Sequence, residues 1–122
     1  MKIAISESQY KRLFEQEEYV LQIPSLEYFN NDWDLLQKYL KSKGNPLYSI
    51  GGSLNLFGTS IESLGNLTSV GGSLDLEGTP IKSLGNLTSI GGYLDLTKTP
   101  LSKMYDSDEI RKMVKVGGDL YL

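Results

Sequence analysis

The chain has 122 residues and carries 12 Lys and Arg against 15 Asp and Glu, a formal net charge of −3 at pH 7. This length suits one domain, and a nucleic-acid partner is not expected because such surfaces carry a basic excess. The sequence contains no Cys and no His. Thiolate zinc sites, disulfides, Cys nucleophiles and His-based mechanisms are therefore excluded.

The N-terminus has no long apolar segment, and no stretch approaches the roughly 18 apolar residues that a membrane span needs. We therefore expect a cytoplasmic protein without a membrane partner. A cytoplasmic location would be the cytoplasm of the host if the protein is viral.

Residues 1–45 contain no Gly before Gly44 and hold about half of the charged residues. Their pattern predicts a short strand at 2–5 and a helix with Ser6 as its N-cap. A second helix is predicted from about Asn31 or Asp32, and residues 19–24 are extended or irregular without an assigned place.

We interpret residues 1–45 as a helical cap, because a stack of repeats needs a cover over its first unit. In this interpretation Trp33 and its neighbours pack on Ile50 and Leu54. The alternative is an independent recognition arm with four exposed aromatic side chains, Tyr10, Tyr19, Tyr28 and Phe29.

Residues 46–122 contain a repeat of 20 residues. Gly-Gly pairs recur with spacings of 20, 20 and 26, and residues 61–80 differ from 81–100 at only five positions. Such a period is typical of a solenoid. Each repeat carries alternating leucines, which predicts one strand per repeat and a parallel sheet of about four strands: Leu54 and Leu56, Leu74 and Leu76, Leu94 and Leu96, Leu120 and Leu122.

Other apolar positions also recur and are predicted to face the core, among them Leu64, Leu84 and Met104. The recurring Thr59, Thr79 and Thr99 are predicted to hydrogen-bond to the turn backbone through their hydroxyls rather than to act as nucleophiles. The Gly-Gly pairs match no phosphate-binding motif, and we interpret them as tight corners or positions of positive φ.

Six extra residues separate the last two Gly-Gly pairs, and they predict a short helical insertion near 107–114 with Ser107 as N-cap. The apolar residues at this end predict a homo-oligomer, with a homodimer as its simplest form. The function alternative to protein binding is therefore a self-assembling structural component that oligomerises through this end. The alternative is that the short helix covers the end of its own chain. The predicted oligomer interface comprises Ile110, Met113, Leu120 and Leu122.

The segment L-D-L-E-G-T-P-I at 74–81 resembles the core of leucine-rich repeats, with Thr where that family commonly has Asn. The segment 85–96 is similar to receptor L-domain repeats and to short repeat proteins of tailed bacteriophages and bacteria. The resemblance covers roughly residues 46–122. It implies an α+β fold, a right-handed solenoid, and a protein-binding module such as a phage accessory or host-directed inhibitor or counter-defence factor.

The outward face of the predicted sheet is the expected partner-binding surface. Adjacent Asp75 and Asp95 would repel each other weakly unless a cation lies over them. An exposed, flat face lacks the enclosed carboxyl that a glycosidase needs, and the pattern does not match calcium-binding repeats. We expect no enzyme activity, no metal and no cofactor, and the predicted binding residues are Asn55, Phe57, Asp75, Glu77, Tyr93, Asp95 and Tyr121.

Overall fold

The computed structural model describes residues 19–122, so the predicted strand at 2–5 and the helix capped by Ser6 lie outside it. The described part is α+β, with parallel sheets and short helices. Its elements in chain order are β1 (Leu21–Ile23), a 3-10 helix (Leu26–Phe29), α1 (Trp33–Ser42), β2 (Tyr48–Ile50), β3 (Leu54–Asn55), β4 (Leu67–Val70), β5 (Leu74–Asp75), β6 (Ser89–Ile90), β7 (Leu94–Asp95), α2 (Pro100–Met104), α3 (Ser107–Met113), β8 (Lys115–Val116) and β9 (Leu120–Tyr121).

The strands form two parallel sheets within residues 19–122. One sheet has the order β1-β2-β4-β6-β8, and the other has the order β3-β5-β7-β9. The prediction of one strand per repeat is therefore wrong, because each repeat contributes a strand to both sheets. The four-stranded sheet holds the alternating leucines, and a Gly-Gly pair separates its strands from those of the five-stranded sheet.

The pairing register follows the repeat. Leu54 pairs with Leu74, which pairs with Leu94, and the next partner is Leu120. The last step spans 26 residues rather than 20, yet the register holds because α2 and α3 take up the insertion between β7 and β8. The short helical insertion thus lengthens one connection without shifting either sheet.

The strand β1 places the segment that the sequence left unassigned. Leu21–Ile23 pairs with Tyr48–Ile50 in parallel, and the carbonyls of Ile23 and Pro24 accept the amide hydrogens of Gly51 and Gly52. Residues 21–24 therefore add a strand before the first Gly-Gly pair, although their two acceptors are adjacent, whereas those of the later repeats lie two positions apart.

The helix α1 begins close to its predicted start. The Asp32 side chain accepts the amide hydrogen of Leu35 at 3.2 Å, which makes Asp32 the N-cap. Leu36 and Leu40 are buried in the core, and Trp33 packs partly against it. Amphipathic helices gain most of their stability from such burial.

Buried Tyr48 links α1 to the repeats. Its hydroxyl donates to the Leu64 carbonyl at 2.7 Å and accepts from Gln37 Nε2 at 3.1 Å. Burial raises the pKa of this hydroxyl above its usual value, while the hydrogen bond from Gln37 opposes that shift. The side chain therefore remains a neutral hydrogen-bond donor at physiological pH.

The core contains most of the residues that the repeat pattern assigns to it, but Leu120 is half-buried and Leu122 is exposed. Leu64 and Leu84 are buried, but Met104 at the same position of the next repeat is 53% exposed. Met104 is the last residue of α2, which replaces the extended segment of the earlier repeats. The change of backbone conformation turns this side chain out of the core, so its predicted burial is wrong.

The predicted hydrogen bonds from the recurring threonines to the turn backbone are confirmed. Thr59, Thr79 and Thr99 each donate a hydroxyl hydrogen to the carbonyl three residues earlier, at 2.8, 2.8 and 2.6 Å. Thr79 and Thr99 are also buried. These hydroxyls support the turn that leaves each strand of the four-stranded sheet.

From the second Gly-Gly pair onward, glycine is required by the close approach of neighbouring repeats, and not by positive φ. None of the glycines in these pairs is among the positive-φ residues. A Cβ at Gly71 would overlap the carbonyl oxygen of Gly51, and one at Gly91 would overlap that of Gly71. Only glycine allows neighbouring repeats to approach this closely.

We predict that Gly91→Ala lowers the free energy of unfolding by about 3 kcal/mol or more, because the added methyl overlaps backbone atoms that cannot rotate away. The matched control is Gly52→Ala, where the nearest atom to the new Cβ is the Pro24 carbonyl oxygen at 3.5 Å. The control is expected to change stability by at most about 1 kcal/mol. Urea unfolding measures both, and equal losses would contradict the close-approach explanation.

Candidate partner-binding face

The outward face of the four-stranded sheet, here called the outer face, carries the predicted binding residues. Asn55, Asp75, Asp95 and Tyr121 pair directly across the strands and form one row. The other predicted residues lie within two positions of a strand of this sheet. The structure therefore brings all seven predicted residues to one surface.

Three aromatic rings on this face are exposed to solvent: Phe57 at 59%, Tyr121 at 47% and Tyr93 at 40%. The rings of Tyr93 and Tyr121 contact each other edge to face, with centroids 5.9 Å apart and planes at 72°. Large side chains that pack on each other rather than in the core leave apolar area available to a partner.

The row formed by Asn55, Asp75, Asp95 and Tyr121 also has a structural role. Asn55, Asp75 and Asp95 each accept the backbone amide hydrogen of the residue two positions later, at 3.0, 3.0 and 2.9 Å. These are Asx turns, and they end the strands of the sheet. One oxygen of each side chain is thereby engaged within the chain, while the surface beside it stays acidic.

The acidic centre of the face consists of Asp75, Glu77 and Asp95. Ligand oxygens of these three half-buried residues lie within 4.8 Å of one another. Carboxylates suit hard cations, but three of them supply only part of the six to eight oxygens that Ca²⁺ takes. The arrangement favours a cationic group approaching from outside, because such a group relieves the repulsion among the carboxylates.

Tyr121 is the last residue of this row and lies beside the carboxylate of Asp119. Its hydroxyl donates to Asp119 Oδ2 at 3.3 Å, and the charge of Asp119 raises the pKa of Tyr121 above its ordinary value. The ring therefore presents a neutral hydroxyl to a partner at physiological pH.

A groove that sequence reasoning missed extends the outer face towards the start of α1. It has a volume of about 360 Å³ and includes Asp32, Trp33, Asp34, Asn55 and Ile61 among its lining residues. The sequence signal for it was the only Trp of the chain between two Asp residues, but the proximity of α1 to β3 needed the fold. The groove adds an aromatic ring and two carboxylates to the same side of the molecule.

Only some of the residues in the predicted oligomer interface are accessible on the surface. Ile110 is fully buried in the core of its own chain, so its assignment to an intermolecular contact is wrong. Leu120 is half-buried, whereas Met113 and Leu122 are exposed. Ile110 points inward because α3 covers the core at the insertion.

The start of α3 also differs from the prediction. Asp106, rather than Ser107, is the N-cap, and its side chain accepts the amide hydrogen of Glu109 at 2.9 Å. The Glu109 carboxylate accepts the amide hydrogen of Asp106 in return, which completes a capping box. This box fixes the direction in which α3 leaves α2.

No family model, no curated protein and no solved structure matches the chain. Within residues 19–122, no helix has the length and apolar character needed to cross a membrane. The function must therefore be argued from the geometry and chemistry of the outer face.

We predict that Asp75→Asn raises the free energy of unfolding by about 0.2–1 kcal/mol at low salt, because it removes a like-charge pair across two strands. The Asx turn should persist, since Asn55 makes the same hydrogen bond one repeat earlier. Salt should shrink the gain by screening the repulsion that the substitution removes. Glu62→Gln, at an exposed residue away from the face, is the control, and an equal gain there would indicate a mere effect of net charge.

Proposed function

We propose that the chain is a non-enzymatic protein-binding module built as a short right-handed leucine-rich-repeat-like solenoid. In this proposal residues 46–122 form the solenoid and residues 1–45 form its helical N-terminal cap. The solenoid is supported by the parallel pairing of equivalent residues one repeat apart, such as Leu54 with Leu74 and Leu74 with Leu94. The cap is supported by the burial of Leu36 and Leu40 of α1 in the core.

The observation that carries the binding function is the set of exposed aromatic rings on the outer face, of which Tyr93 and Tyr121 contact each other. Phe57, Tyr93 and Tyr121 are all exposed there, and tyrosine and phenylalanine are enriched in protein interfaces. Small-molecule sites are concave and enclose most of the ligand. A flat aromatic face therefore suits the surface of another protein better than a small ligand.

The charge of the face indicates the chemistry of the partner. Asp75, Glu77 and Asp95 lie together at its centre, so a partner surface with Lys or Arg would complement it. Charge complementarity contributes mainly to specificity and to the association rate, and both fall as salt rises. Arginine would also stack on the exposed tyrosine rings.

The absence of enzymatic activity is part of the proposal. The hydroxyls of Thr59, Thr79 and Thr99 donate to backbone carbonyls, which supports a structural role for them. Asp75 and Asp95 lie on an open face and hold Asx turns, whereas acid–base catalysis by carboxyl groups usually needs an enclosed site with a shifted pKa.

The cellular role that we propose rests on the resemblance alone. A cytoplasmic module of this kind fits a phage-encoded accessory protein or a host-directed factor, such as an inhibitor or a counter-defence protein. The location would then be the cytoplasm of the host.

The test uses a photo-crosslinking amino acid at position 93, followed by identification of the captured protein and measurement of its affinity for the unmodified chain. The double variant Tyr93→Ala, Glu77→Lys is expected to weaken that affinity at least tenfold, because it removes an aromatic anchor and reverses a charge at the centre of the face. Glu77 is preferred to Asp75 for the reversal because Asp75 holds an Asx turn.

The matched control is Tyr28→Ala, at a residue that is 74% exposed in the 3-10 helix Leu26–Phe29. It should bind like the wild type. Unchanged affinity of the double variant, with a native circular dichroism spectrum, would exclude the outer face as the binding surface.

A second candidate function is self-association through the C-terminal end of the described chain. Met113 is 44% exposed and Leu122 is 40% exposed, and with half-buried Leu120 they form the accessible part of the predicted interface. Exposed apolar groups of this kind favour association when they lie close together.

Light scattering after size exclusion tests this candidate at several protein concentrations. Self-association predicts a dimer whose mass falls towards that of the monomer in Met113→Lys. The control Met104→Lys changes an equally exposed methionine on α2 and should leave the mass unchanged. A wild-type monomer at high micromolar concentration would exclude the candidate.

A further inference from the structure

The three junctions from β2 to β8 in the five-stranded sheet use equivalent pairs of carbonyl acceptors. The residue before a Gly-Gly pair and the second glycine of that pair accept hydrogen bonds from the two amides of the next Gly-Gly pair. The distances lie between 2.8 and 3.1 Å. The donor and acceptor pairs are Gly71 to Ile50 and Gly72 to Gly52, Gly91 to Val70 and Gly92 to Gly72, and Gly117 to Ile90 and Gly118 to Gly92.

In the last repeat, at β8, the two equivalent carbonyls accept hydrogen bonds from a side chain instead of from backbone amides. Arg111 donates from Nη1 to the carbonyl of Val116 at 3.2 Å and from Nη2 to the carbonyl of Gly118 at 3.2 Å. Val116 and Gly118 occupy the positions of Ile90 and Gly92 in the preceding repeat. The guanidinium thus stands where the amides of a further Gly-Gly pair would stand.

The shape of the guanidinium explains why an arginine serves here. Its nitrogens form a rigid planar fork that donates to two acceptors at once, whereas a lysine ammonium is a single point charge. The helix α3 directs the side chain, because its capping box fixes the helix start and the adjacent Ile110 is anchored in the core.

We propose that Arg111 terminates the five-stranded sheet. By occupying both acceptors, it prevents β8 from pairing with a further strand, whether from later chain or from a second copy of this protein. Unprotected sheet edges are templates for such pairing, and charged side chains at edges are a known means of blocking it. This role concerns the sheet edge and is independent of the partner-binding outer face.

The test compares Arg111→Met with Lys112→Met by light scattering across a range of concentrations. Both substitutions remove one positive charge from an exposed position of α3, but only the first frees the two carbonyls. Arg111→Met is expected to raise the weight-average mass on the order of twofold over the wild type, as for edge-to-edge pairing of two copies. Lys112→Met should match the wild type, and an unchanged mass of folded Arg111→Met would overturn the proposal.

A second variant and a direct measurement cover the case in which Arg111→Met fails to fold. Arg111→Lys keeps the charge but lacks the fork, so it should also associate more than the wild type, and wild-type behaviour would count against the proposal. In the wild-type protein, NMR of the Arg111 side chain should show two resolved Nη signals, because the two hydrogen bonds restrict rotation. A single averaged signal would overturn the assigned contacts.

Discussion

The backbone contact between successive Gly-Gly pairs is the constraint on which the rest of the structure depends. At these positions one repeat bonds the next through amide hydrogens, such as that from Gly91 to the Val70 carbonyl at 2.9 Å. The approach is so close that a Cβ at Gly91 would overlap the backbone of Gly71. The contact sets both the spacing and the register of the repeats, and every side-chain row follows from that register.

The rows contain two kinds of residue: those that recur in each repeat and stabilise the fold, and those that differ from the equivalent residues of the other repeats. Leucines fill the core, threonines support turns, and the Asx residues end strands in each repeat. Departures from the repeat include Tyr93, where earlier repeats have Ser53 and Ser73, and Tyr121, where they have Asn or Asp. These two departures lie at the β9 end of the outer face, and they are part of the reason that we propose this face as a binding surface.

The predictable part of the fold was the part carried by repetition. The alternation of leucines identified the strands of the four-stranded sheet, and the recurring threonines identified the turn bonds. The five-stranded sheet escaped prediction because its recurring apolar residues, such as Leu67 and Val70, lie three positions apart and so do not show the period of two that indicates a strand. The strand Leu21–Ile23 escaped it because its partner lies 27 residues away, outside the 20-residue period.

The errors at the C-terminal insertion share a physical cause. The six-residue insertion replaces a non-helical segment by helices, so Met104 turns outward against the repeat pattern, and Ile110 is buried rather than available to a second copy. The residues of the candidate face could be predicted because the pairing register keeps equivalent positions of successive repeats side by side. The groove at Trp33 and the two hydrogen bonds of Arg111 could not be predicted, because each depends on segments that come together only in the folded chain.

The most direct test of the glycine-determined register is NMR measurement of scalar couplings across hydrogen bonds. The account predicts couplings from the amide nitrogen of Gly71 to the carbonyl carbon of Ile50, from Gly91 to Val70, and from Gly117 to Ile90. Couplings that connect these amides to carbonyls in another register, or protected amides without any such coupling, would contradict it.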